Sequence, residues 1–98
     1  MTTFILLSKI SLAGARHVRS LAQMDEEFQR RLEEQIPQVQ RITSYALLGA
    51  YDFLHIFEAP DPKMAARVAI LANSFGVAST ETLTAIPFDE FREMLDEV

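Results

Sequence analysis

The spacing of hydrophobic positions changes abruptly along the chain, and each change predicts an element. Thr2 to Lys9 is a short apolar run, Phe4, Ile5, Leu6 and Leu7 with polar ends, which at this length reads as a strand covered on both faces. Ser11 and Gly14 then mark a turn. From Ala15 to Ile36, Val18, Leu21, Phe28, Leu32 and Ile36 recur at helical spacings while Arg16, Arg19, Gln23, Glu27, Arg30 and Glu34 fall on the other side. This predicts one long amphipathic helix, closed by Pro37 because proline lacks an N–H and pushes its predecessor out of the helical region.

Gln38 to Leu48 and Tyr51 to Glu58 flank Gly49-Ala50, which predicts two antiparallel strands joined by a two-residue type II′ turn. That register sets Leu48 opposite Tyr51, Ala46 opposite Phe53, Ser44 opposite His55 and Ile42 opposite Phe57 on one face. On the other face it sets Leu47 opposite Asp52, Tyr45 opposite Leu54, Thr43 opposite Ile56, and Arg41 opposite Glu58. Asp61-Pro62 reads as an N-cap and first-turn proline. The helix it opens carries Met64, Ala65, Val68, Leu71, Ala72 and Phe75 and stops at Gly76. Val77 to Ile86, rich in threonine, predicts a fourth strand ended by Pro87. A short tail helix follows to Glu97, with Phe88, Phe91 and Leu95 on one side.

The order β-α-β-β-α-β is that of the ferredoxin-like α+β fold: a four-stranded antiparallel sheet with both crossover helices on one face, here with a short C-terminal helix added. The first and third strands are then central, and both are apolar on both sides. Helices cover only one of those sides, and a contiguous apolar sheet face is rare on a soluble monomer. A second copy of the same sheet is the economical cover, so a homo-oligomer built of dimers is expected.

The chain has 98 residues without repeat, linker or compositional break, so residues 1–98 are expected to form a single domain. Nine Lys and Arg against fourteen Asp and Glu give a net charge of -5, the wrong sign for a phosphate-neutralising surface, so nucleic acid is not an expected partner. With no cysteine there is no disulfide framework or thiolate chemistry. The longest apolar runs fall far short of the roughly 20 residues that span a bilayer, so no membrane association is expected and the chain reads as cytoplasmic.

Gly49-Ala50-Tyr51-Asp52-Phe53, then Glu58-Ala59-Pro60-Asp61 and Thr80-Glu81-Thr82-Leu83, resemble the GYD domain family. Gly49, Tyr51 and Asp52 carry its signature, and Ser11-x-x-Gly14 stands where many members have Thr-x-x-Gly. The resemblance covers essentially the whole chain. It implies a dimeric α+β barrel and no particular activity. The hairpin and the Thr-x-Thr strand are also similar to the amino-acid-binding domain of leucine-responsive transcription regulators, but with no helix-turn-helix segment expected here, DNA binding is not carried over. Other dimeric α+β barrels are small enzymes, including haem-degrading monooxygenases and chlorite-dismutase relatives.

The residues themselves name no reaction. His17 reads as a solvated helical histidine. His55, between Phe53 and Phe57 on a central strand, is the one weak catalytic candidate, with Ser44 across the hairpin as its expected partner and a satisfied core histidine as the plainer reading. Asp52 reads as a turn acceptor or as a charge offered to a ligand, and Glu81 as a solvated edge carboxylate or a buried titratable group. Tyr45 shares the predicted face of Asp52, and Tyr51 falls on the opposite one. No metal-ligand spacing and no phosphate loop occur, so no metal and no cofactor are expected. The leading expectation is a small oligomeric module that binds a small molecule or a partner protein between sheet faces, with Tyr45, Asp52 and Glu81 lining the site. The alternatives are a cofactor-less or haem-dependent enzyme of the barrel type using His55, and a purely architectural oligomerisation domain.

Overall fold

A computed structural model describes residues 1–10, 20–75 and 77–98, with backbone only for Val77 and Ala78. Its elements run β1 (Thr2–Ile10), α1 (Leu21–Gln35), β2 (Gln40–Ala46), β3 (Phe53–Ala59), α2 (Pro62–Asn73), β4 (Val77–Ala85) and α3 (Phe88–Asp96). The strands form one antiparallel sheet in the order β2-β3-β1-β4, so β1 and β3 are central as the element order predicts. The fold is ferredoxin-like. The predicted Ser11–Gly14 turn, the first turns of the first helix with His17, and the Gly76 stop lie outside the described residues.

The interior forms where helical and strand periods meet. Phe4 and Leu6 of β1 and Phe57 and Ala59 of β3 point to one face, and α1 sets Phe28, Leu32 and Ile36 on it at intervals of four. From α2, Ala65, Val68 and Leu71 complete the same core. Each large side chain so buried stabilises the fold by about 1.5–3 kcal/mol. Asp61 caps α2 as its sequence predicts, its Oδ1 accepting the Met64 N–H at 2.9 Å, with Pro62 in the first turn.

Among the described residues no helix covers the other face of the sheet. The pairings Ile5 with Ile56 and Leu83, and Leu7 with Leu54 and Glu81, place an apolar row across the two central strands and β4. Leu83 is 40% exposed and Tyr45, beside Leu54 on β2, is 57% exposed. The tail helix α3 leaves this face open, and all of its own residues are exposed, Phe88 stacked on Phe91 with ring centroids 6.2 Å apart. Among the described residues no helix is long and apolar enough to cross a membrane.

Two hairpin expectations need correction. The predicted register holds from Ala46–Phe53 through Thr43–Ile56, but β2 then bulges, so that Arg41 pairs with Phe57 and Gln40 with Glu58. Ile42 is the extra residue and lies half exposed, neither opposite Phe57 nor inside. Arg41 therefore does not meet Glu58; the added residue reverses which face its side chain takes. The connection is also wider than a two-residue turn. Leu47 N–H donates to the Asp52 carbonyl at 2.8 Å, closing a loop of Leu48, Gly49, Ala50 and Tyr51. Gly49 takes φ +148°, accessible to glycine and strained for a residue with Cβ.

Candidate functional site

Placement of the sequence candidates follows from this register. Glu81 lies opposite Leu7, Leu7 opposite Leu54, and Leu54 opposite Tyr45. Tyr45 and Glu81 thus share the uncovered face, but on the two edge strands, roughly 14 Å apart at the usual strand spacing. The Glu81 carboxylate accepts the Tyr51 hydroxyl, and this contact raises the phenol's pKa above its ordinary value. The Lys9 ammonium sits 5.4 Å from the centre of the same ring. Tyr51 accordingly joins the face of Tyr45 rather than the opposite one, because a loop residue escapes the alternation that a two-residue turn would have imposed. Asp52 turns elsewhere: its Oδ2 accepts the Ile10 N–H at 2.7 Å, and its own N–H donates to the Ser8 carbonyl at 2.8 Å. Tyr45, Asp52 and Glu81 are therefore not gathered around one pocket within the chain.

On the helix-covered face a denser arrangement forms around His55. Ser44 Oγ lies 2.6 Å from His55 Nδ1, the partner that the register predicts. Arg41, moved to this side by the bulge, brings its guanidinium to the same nitrogen at 3.2 Å. The guanidinium also donates to Ser44 Oγ at 2.8 and 3.0 Å. Asp25 of α1 pairs with it at 2.7 Å, and the Phe28 ring lies 5.7 Å away. A guanidinium only donates, so Nδ1 is an acceptor and the neutral imidazole carries its proton on Nε2. Burial, with the Arg41 charge second and Asp25 opposing, lowers the His55 pKa to about 4. His55 is thus a neutral, oriented ring at ordinary pH.

Beside it a cavity of about 330 Å³ opens between α1 and the sheet. Phe28, Phe53, Phe75 and Met24 form much of its wall, and Arg41 and His55 supply polar groups. Sequence reasoning finds His55 and Ser44 but misses Arg41 and Asp25. The signal for Arg41 is hidden by the bulge, and that for Asp25 by its place on an otherwise solvated acidic helix.

The sequence pattern of the GYD domain family matches residues 4–95. A Thermus thermophilus protein named glutamine synthetase and cystathionine beta-lyase binding protein is 37% identical over 87 residues, spanning 89% of this chain and 90% of the relative. Among solved structures, MtbAldR superposes with a TM-score of 0.68 at 16% identity over 88% of this chain; the chain spans about half, 52%, of that protein. A solved structure from Thermus thermophilus gives a TM-score of 0.60 at 22% identity, covering 89% of this chain and 95% of the other. These two likenesses concern the fold alone. A family match over nearly the whole length, joined to a full-length relative, identifies the chain as a member of the GYD domain family.

Proposed function

We propose that this chain is a protein-binding module that pairs with a second copy through its uncovered sheet face and, as an oligomer, holds a metabolic enzyme in the cytoplasm. The observation that carries the reading is the 37% identity to a protein named for binding glutamine synthetase and cystathionine beta-lyase, over 90% of that protein's length. The geometry supports it in two ways. Ile5, Leu7, Leu54, Ile56 and Leu83 form a contiguous apolar surface of the kind that marks an interaction face. The groups that resemble acid–base candidates are already engaged within the chain: His55 Nδ1 by Arg41 and Ser44, Asp52 by Ile10, and Glu81 by Tyr51.

The test is sedimentation velocity of the purified chain alone and mixed with purified glutamine synthetase or cystathionine beta-lyase from the same organism. The chain alone should sediment as a dimer or a multiple of dimers, and one of the mixtures should form a complex of fixed stoichiometry. Independent sedimentation in both mixtures at about 100 μM, where micromolar complexes are saturated, would overturn the partner reading.

A further inference from the structure

The cavity between α1 and the sheet has no part in protein binding through the opposite face. At about 330 Å³ it lies within the range of small-molecule sites and is roughly twice a cavity that accepts benzene. Its walls are flat as well as apolar. Phe28 meets Phe75 edge to face with centroids 5.9 Å apart, and Phe53 lies nearly parallel to the His55 ring at 6.4 Å. Rings of this kind favour a planar occupant by stacking and edge contacts.

Charge narrows the class further. The Arg41 cation is already matched by Asp25, with contacts of 2.7 and 3.3 Å, so it has no unpaired charge to give an anion. A carboxylate ligand would displace Asp25 or sit beside it, and like charges at that distance repel. His55 is neutral and its Nδ1 is occupied, so the ring has its Nε2–H donor to offer, with Ser8 in the same described lining. We infer that this cavity is a binding site for an uncharged, planar molecule of one or two rings carrying an acceptor oxygen, which packs among Phe28, Phe53 and Phe75 and takes the Nε2–H of His55. The site goes beyond the protein-binding role, and the described residues that line it come from one chain.

Acetophenone is a suitable probe and benzoate its anionic counterpart, added to the ¹⁵N-labelled full chain without any partner enzyme, so the outcome is independent of protein binding. The readout is the imidazole ¹H–¹⁵N correlation of His55, one of two histidines, together with the Met24 methyl signal. Acetophenone should move both in a saturable way, with benzoate at least about tenfold weaker. His55→Phe keeps a flat ring and removes the donor, and should weaken acetophenone by about tenfold, the worth of one hydrogen bond. If that variant fails to fold, the wild-type titration decides alone. No saturable shift, shifts confined to the uncovered face, or benzoate binding as tightly as acetophenone would each overturn the assignment.

Discussion

The Asp52 carboxylate accepts the backbone N–H of Ile10 at 2.7 Å, tying the β2–β3 loop to the end of β1 across 42 positions of sequence. With the Asp52 N–H donating to the Ser8 carbonyl beside it, the loop continues the edge of the central strand by a two-way contact. Asp52 in the Gly-x-Tyr-Asp segment is therefore a joint between non-adjacent parts of the chain as well as a loop residue.

Asp52→Ala removes that acceptor and leaves the Ile10 N–H partly buried without it. The expected loss is about 1–3 kcal/mol of unfolding free energy, read by urea denaturation. Asp52→Asn retains an acceptor oxygen and should lose less. Partner binding at saturating concentration should survive both changes; a loss of binding with stability intact would instead make Asp52 a contact residue.

Acid should destabilise the fold through His55. In the unfolded chain this histidine takes its proton near pH 6.5, and in the folded chain near pH 4. The unfolded state thus binds more protons between those values, so the contribution is complete above pH 6.5 and is lost as pH falls toward 4. After allowance for the ring's partial exposure the effect is about 1–3 kcal/mol. The urea midpoint of the wild type should fall relative to that of His55→Phe as pH drops across this window; parallel curves would contradict a buried neutral imidazole.

Arg41 is 15% exposed in its side chain and holds Asp25, Ser44 and His55 together. Arg41→Met should cost about 1–3 kcal/mol, since the hydrogen bonds are lost while Asp25, half exposed, regains water. The same substitution should raise the His55 pKa without restoring 6.5, because burial, the larger cause, persists. An NMR titration of the imidazole separates the two causes, and an unchanged midpoint would deny Arg41 its electrostatic role.

Leu54→Asp places a charge in the middle of the uncovered face, between Leu7 and Tyr45. Its interior cost is small because the side chain lies away from the helices. The expected result is a monomer in sedimentation velocity under conditions where the wild type is paired, with little change in circular dichroism. A variant that remains paired would move the interface to another surface, α3 being the other exposed apolar element.

Fold and site were legible to different depths. Element order, central strands, the Asp61 cap and the Ser44–His55 contact follow from periodicity and capping chemistry, which act over a few residues. The wide loop did not, because Gly49-Ala50 suits a tight turn locally, whereas the structure commits Asp52 to a contact with β1 that no local pattern announces. Tyr51 changed face for that reason. The Arg41 cluster was hidden because its members come from α1, β2 and β3, and because a bulge leaves little trace in an alternating strand such as Arg41 to Tyr45.

Ile42 acts as a phase shift written into β2. Upstream of it, odd and even positions exchange sides, so one residue decides whether a permanent cation belongs to the interior or to the uncovered surface of the sheet. Were Ile42 drawn into the ladder opposite Phe57, Arg41 would turn out beside Glu58, and Asp25 and His55 would lose their common partner in a single step. The polarity of the two sides of this sheet is thus set by counting, and a slip of one position at this point would rewrite both surfaces without altering the chemistry of any side chain.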